Sequence, residues 1–194
     1  MNDVALALRS APEVHETHSP AARFRAIVDA NFDFIWRSLR GLGVPLHSVD
    51  DAAQQVFLIA AQKLDAIAMG SERAFLFSTA LGVSANARRS RERNREVLDA
   101  DALEERVDES PSGERLIEMR EQRALLDRAL ASMPEDLRTV FVLFVLEGLT
   151  VPEIAELLDV PTGTVASRLR RAREAFHSIS KRLQARAADT GGAR

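Results

Sequence analysis

The sequence predicts an all-α protein built as two small helical domains joined by an acidic flexible linker. Three observations carry this. Ala, Leu, Glu and Arg, all strong helix formers, dominate the chain, whereas Gly and Pro number only 9 and 7 in 194 residues. Apolar residues make up 46%, enough for a packed core. Apolar positions also recur at helical spacing in two blocks, separated by a stretch that lacks them.

The first block begins after a polar N-terminal segment, residues 1–21, which reads as a flexible lead-in and a poor signal peptide. Residues 22–42 place Phe24, Ile27, Val28, Ile35, Leu39 and Leu42 near one face, and Gly41-Leu-Gly43 stops the helix. A second helix is expected from Ser48, with Asp51 completing a capping-box-like pair. Ala53, Val56, Phe57, Ala60, Leu64 and Ile67 form its stripe, and Gly70-Ser71 breaks it. A third helix runs from about Glu72 to Arg93, apolar early and basic late. Residues 22–96 therefore form the first expected domain, and the acidic, Ser-Pro-Ser-Gly-containing residues 97–114 the linker.

The second expected domain, residues 115–186, has clearer punctuation, and residues 187–194 come after it as a flexible tail. A helix over 115–131 ends at Ser132-Met-Pro-Glu135, read as a capping box with Pro134 in the first turn. The helix over 134–147 is apolar almost all round, a pattern that belongs at the centre of a bundle. Gly148 ends it, and Thr150-Val-Pro-Glu153 forms another capping box opening a short helix that closes near Leu158.

Asp159 then stands where a left-handed residue would close that helix. Pro161 turns the chain, and Thr162 is placed to cap the next helix. A short helix, a tight corner and a longer helix make a helix-turn-helix. In the longer helix Val165, Leu169, Ala172 and Phe176 share a core face, while Thr164, Ser167, Arg168 and Arg171 share a polar, cationic one. Such a face suits the major groove, where Arg pairs with guanine and Ser or Thr reaches bases or phosphates.

The net charge of −3 conceals strong segregation. Residues 86–95 hold five Arg and one Glu, residues 99–109 six acids and one Arg, and residues 166–186 six Arg and one Lys against Glu174 alone. Local basic stripes of this kind are the footprint of nucleic-acid binding. An exposed basic face is also what an ordinary solvated helix presents. The conjunction of capped short helix, corner and two-faced long helix favours DNA.

Other chemistry is poorly supported. No cysteine is present, which removes disulfides, thiolate zinc sites and thiol catalysis and fits a cytoplasmic location. No apolar run approaches the roughly 20 residues of a membrane span. His15-x-x-His18 lies in the polar lead-in, and His47 and His177 stand apart without ligand-spaced carboxylates. Neither a phosphate loop nor a nucleophile elbow occurs. No catalytic residue, metal or cofactor is expected.

With those residues in place, the chain resembles a bacterial sigma-70 family RNA polymerase sigma factor of the extracytoplasmic-function (ECF) group over about residues 22–184. "LASMPEDLRTVFVLFVLEGLTVPEIAELLDVPTGTVASRLRRAREAF" is similar to that group's region 4 throughout. "DDAAQQVFLIAAQKL" resembles the polymerase-binding helix of region 2, and "RAFLFSTALGVSANARRSRER" the segment that meets the −10 element. The resemblance implies a region 2-like bundle and a region 4-like helix-turn-helix bundle in a non-catalytic specificity subunit. Asp51, Gln54, Gln55 and Phe57 would touch the clamp of core RNA polymerase. Asn86, Arg88, Arg89, Arg91 and Arg93 would meet the −10 region and its phosphates. Thr162, Thr164, Ser167, Arg168 and Arg171 would read the −35 duplex from a domain seated on the polymerase flap. The linker would thread toward the RNA path, and an anti-sigma factor is an expected kind of inhibitory partner.

Four positions depart from the family pattern: Ala166 where Lys or Arg is usual, Gln55 for Glu, Gly82 for a frequent Asn and Phe75 for Trp. They bear on −10 readout more than on membership. The segment Asp65–Arg73 is the candidate pocket for a base held out of the stack. The competing functions are a stand-alone helix-turn-helix regulator, which would bind duplex DNA specifically without polymerase, and a helical adaptor without a DNA role.

Overall fold

The computed structural model describes residues 19–97 and 114–191, with side-chain surroundings for 19–90 and 122–185. The N-terminal lead-in and the acidic stretch 98–113 lie outside the described residues. Seven α-helices appear among the described residues, and no strand: α1 (Pro20–Gly41), α2 (Leu46–Gln62), α3 (Glu72–Val97), α4 (Glu114–Ala131), α5 (Glu135–Phe141), α6 (Val151–Leu158) and α7 (Thr162–Gly191). A 3-10 turn, Leu64–Ala66, succeeds α2, and a π-helical turn, Val142–Leu146, extends α5.

In the N-terminal half, α1, α2 and α3 pack on one another. Ile35, Leu39, Val49, Val56, Leu76 and Phe77 are completely buried between them, of which Ile35, Leu39 and Val56 belong to the stripes expected from periodicity. In the C-terminal half, α7 is the long beam against which α4, α5 and α6 pack. Phe141 stacks on Phe176 with centroids 4.7 Å apart.

Local chemistry sets most of the boundaries. Ser19 caps α1, its hydroxyl accepting from the Ala22 amide at 3.0 Å, and Pro20 occupies the first turn. Two expected caps differ. The second helix opens at Leu46 from an extended Pro45, so Ser48 is already its third residue and caps nothing. Ser132 belongs to the end of α4: its amide and its hydroxyl both bond the Arg128 carbonyl. The next helix starts at Glu135 from an extended Pro134.

The apolar helix expected over 134–147 changes winding partway. The Glu147 amide donates to the Val142 carbonyl at 3.0 Å, a five-residue step. Val140, Val142 and Leu143 are fully buried, because this segment is covered by α7 on one side and meets α1 on the other.

The two halves share one continuous apolar cluster. Gly41 on α1 lies so close to the π turn that a Cβ there would stand 2.8 Å from Val142 Cγ1. Beside it, the buried Arg138 guanidinium donates to the carbonyls of Leu42 (3.1 Å), Ala131 (3.1 Å) and Met133 (2.7 Å). Burial pushes Arg138 down to about 10, helped by the neighbouring Arg88 charge and opposed by Glu135, so the group stays charged at neutral pH.

Candidate nucleic-acid interface

The corner between α6 and α7 is built by three local devices. Thr150 and Glu153 form a complete capping box: the Thr150 amide and hydroxyl each donate to Glu153 Oε2 at 2.7 Å, and the Glu153 amide returns a bond to the Thr150 hydroxyl. The hydrogen bonds from the Thr150 side chain and backbone hold the Glu153 carboxyl below its ordinary value.

Asp159 adopts φ 52°, the only positive-φ non-glycine among the described residues. Its amide donates to Glu156 and that of Val160 to Ala155. This is the paired ending of a Schellman motif with Asp in place of Gly. Pro161 then presents its carbonyl to the Thr164 and Val165 amides, and Thr162 is itself the first helical residue.

α7 is thereby fixed with Val165, Leu169 and Ala172 buried. Thr162, Ser167 and Arg171 are exposed, and Thr164 and Arg168 half-buried, along the opposite side. The four arginines from 168 to 173 differ in their engagements. Arg170 pairs with Glu174 at 2.8 Å, Arg173 lies over the Phe144 ring at 5.0 Å, and Arg168 is 3.7 Å from Asp136. Arg171 is exposed and makes no ion pair among the described residues. Ala166 is also exposed, with only a methyl group to offer.

The second cationic element is the late part of α3. Asn86 and Arg89 are exposed and hydrogen-bonded to each other. Arg88 is turned inward instead, donating to the Leu42 carbonyl at 3.1 Å and to Glu135. Arg91 and Arg93 fall on α3, but their side chains lie outside the described residues. Gly82 is exposed with open space where a Cβ would sit, and Phe75 is half-buried against the core.

Between α2 and α3, the segment from Asp65 to Arg73 is held by Arg23, a residue that no sequence motif singles out. Arg23 donates to the carbonyls of Leu64 (3.0 Å) and Ile67 (2.6 Å) and pairs with Glu72 at 3.3 Å. No local periodicity signals this, since the partners are more than forty residues away. Met69 projects from the segment almost fully exposed, and Arg73 stacks on Phe34 at 3.9 Å.

On α2, Asp51, Gln54 and Gln55 are exposed side by side, but Phe57 is buried. The Phe57 ring stacks on Phe32 of α1 at 6.0 Å, and the exposed apolar surface there belongs to Phe32 and Leu58. Phe57 thus faces inward because it falls on the core stripe that its own spacing defines. Leu58, off that stripe, was the signal for an outward apolar group.

Comparison with known proteins places this arrangement. The family model described as Sigma-70, region 4 matches residues 123–176. The ECF RNA polymerase sigma-E factor of Escherichia coli K12 is 36% identical over 141 residues, 69% of this chain and 74% of that protein. The protein of the same name from Haemophilus influenzae Rd is 34% identical over 143 residues, 68% of this chain and 74% of its own length.

Among solved structures, CnrH in complex with the cytosolic domain of CnrY aligns with a TM-score of 0.60 at 23% identity, covering 84% of this chain and 90% of that one. The sigma factor RpoE of Bartonella quintana, in complex with the anti-sigma factor NepR, aligns at 0.59 and 20%, covering 82% and 97%. These two likenesses concern the fold. The helical fold and the 36% identity over 69% of the chain lead to one conclusion: the chain belongs to the ECF group of RNA polymerase sigma factors.

Proposed function

We propose that this sigma factor docks on core RNA polymerase through residues 22–96, reads the −35 duplex through residues 115–186, and uses 97–114 as the tether between them. The observation that carries the reading is the helix-turn-helix of residues 150–176. Its capped α6 and left-handed corner at Asp159 aim the Thr162–Arg171 face of α7 outward while Val165 and Leu169 are buried. A cationic helix with Ser and Thr between its arginines is matched to the major groove and its phosphates.

The −10 contacts belong to the late part of α3 through Asn86 and Arg89, with Arg88, Arg91 and Arg93 as phosphate-neutralising cations. The segment 65–73 serves as the base-holding loop. Asp51, Gln54 and Gln55 with the apolar Phe32 and Leu58 supply the polymerase-docking face. The protein is a non-catalytic cytoplasmic subunit, and an anti-sigma factor is its natural inhibitor, as for the Bartonella relative solved with one. Family membership disfavours a stand-alone regulator.

The test is reconstitution with core polymerase on genomic DNA, then mapping of transcript starts. A shared upstream sequence at the mapped starts supports the reading. Starts that are indistinguishable from those of core polymerase alone would reject it.

A further inference from the structure

The segment between α2 and α3 contains a turn whose two feet are pinned by one side chain. The Ser71 amide donates to the Ala68 carbonyl at 3.1 Å, closing a turn over Ala68-Met69-Gly70-Ser71. Gly70 takes φ 85° while Met69 keeps a negative φ, the combination of a type II turn. A Cβ at Gly70 would meet no atom within 4 Å, so glycine serves the backbone angle alone. Ile67 and Glu72 flank this turn on either side. The Arg23 guanidinium bonds both: Nη2 donates to the Ile67 carbonyl at 2.6 Å and to Glu72 Oε1 at 3.3 Å, while Nη1 donates to the Leu64 carbonyl at 3.0 Å.

These bonds are charge-assisted, and the planar fork of a guanidinium fixes their directions. Leu64 and Ile67 are themselves buried, so packing holds the feet as well. The apex is the opposite. Met69 is 79% exposed, the most exposed large apolar side chain among the described residues. An apolar group held out in water on a turn fastened from below is suited to a contact with another molecule. A thioether side chain is polarizable, and apolar side chains of this kind pack against unstacked bases.

We propose that Arg23 is a positioning residue for −10 readout: by joining Ile67 and Glu72 it fixes the turn and presents Met69 as an apolar apex to the face of an unstacked base. The inference rests on the reading of residues 65–73 as the base-holding loop. Taking a base out of the stack costs free energy, and a loop ordered in advance adds no ordering cost of its own at that moment. An arginine that touches no base thereby alters which base is accepted, because discrimination depends on where the apex stands.

The test uses holoenzyme reconstituted from the full chain and core polymerase, bound to fork-junction DNA that is single-stranded across the −10 element of a mapped promoter. Each −10 position is varied through the four bases, and the quantity read is the ratio of affinities for the preferred and the altered base. Arg23→Gln should lower that ratio about tenfold at one position, the scale of one stacked base. Arg23→Lys, which keeps the charge but not the fork, should recover part of it. Glu72→Gln, which loosens one foot only, should shift the ratio less and in the same direction. It supplies the answer if circular dichroism shows that Arg23→Gln does not fold. An arginine that merely stabilises the domain would weaken binding to all four bases equally. An unchanged ratio in Glu72→Gln and in every Arg23 variant that folds would therefore overturn the proposal. Met69→Ala and Gly70→Ala separate it from the reading beneath it. If these two change the ratio and the Arg23 variants do not, the loop reads a base without help from Arg23. If all of them leave it unchanged, the loop is not the reader and both readings fall.

Discussion

Arg138 donates from its guanidinium to the carbonyl of Leu42, 96 residues earlier in the chain, at 3.1 Å. The bond lands on the C-terminal end of α1, where helix carbonyls lack partners and a cation is favoured. With Ala131 and Met133 it gives a buried charge three carbonyl partners and no carboxylate.

Removal of that side chain takes one donor from each of these carbonyls, of which Leu42 retains a second from Arg88. Arg138→Ala should lower stability by about 2–4 kcal/mol, and Arg138→Met should recover part of the loss by refilling the space. Urea denaturation monitored by circular dichroism measures both. An unchanged midpoint for Arg138→Ala would mean that the interface contributes nothing to the folded state.

Gly41 matters for the space above it. A Cβ at 2.8 Å from Val142 Cγ1 forces the π turn away, so Gly41→Ala should cost about 1–3 kcal/mol. Adding Val142→Ala should restore room, making the double variant less destabilised than the sum of the singles. Strict additivity in thermal or chemical denaturation would show that the two positions do not meet.

Among Arg168, Arg170, Arg171 and Arg173, only Arg171 is exposed with neither a carboxylate nor a ring partner among the described residues. Arg171→Ala should weaken −35 binding by about 1–3 kcal/mol and relax sequence preference, with Arg170→Ala having a smaller effect. Competition binding of holoenzyme to promoter variants reads both affinity and preference. Equal losses for the two would contradict a base contact by Arg171.

On α2 the consequences of burial separate two neighbours. Phe57→Asp should unfold the N-terminal half, since the ring is buried against Phe32. Leu58→Asp should keep the helical spectrum and lose affinity for core polymerase, because that side chain is 55% exposed. Circular dichroism beside a core-binding assay distinguishes them. Full core binding by folded Leu58→Asp would remove this face from the docking surface.

The capping box gives a pH dependence of known sign. The Glu153 carboxyl is held below its ordinary value of 4.5 in the folded chain, so the unfolded chain binds its proton first as pH falls. The stabilisation is complete above 4.5 and disappears as pH drops through the depressed folded value. Glu153→Gln, which still accepts a hydrogen bond, should therefore flatten the acid limb of the stability curve. A variant with the same acid limb as the wild type would show that the box does not couple to folding.

Much of the site was legible because its determinants are local. The box at Thr150, the left-handed Asp159 and the 4, 7, 11 spacing from Val165 to Phe176 involve residues a few positions apart, and each appears where its chemistry predicts. The boxes expected at Ser48 and Ser132 fail for equally local reasons: Pro45 and Pro134 start their helices nearby, and Ser132 is already held by α4. Phe57 stands both on the core stripe and at a motif position, and its ring is buried, since a motif position does not tell which way a ring points.

What the sequence by itself determined is the set of helices, the corner and the segregation of charge, since short-range sterics, capping and periodicity act before any long contact forms. Only the tertiary structure decided what those helices do to one another. Arg23 ordering the segment after α2, Arg88 turning inward to Glu135, and Gly41 admitting Val142 all join residues 41 to 101 positions apart. Such pairings depend on how two apolar surfaces fit when pressed together, and one-dimensional spacing carries no information about that fit.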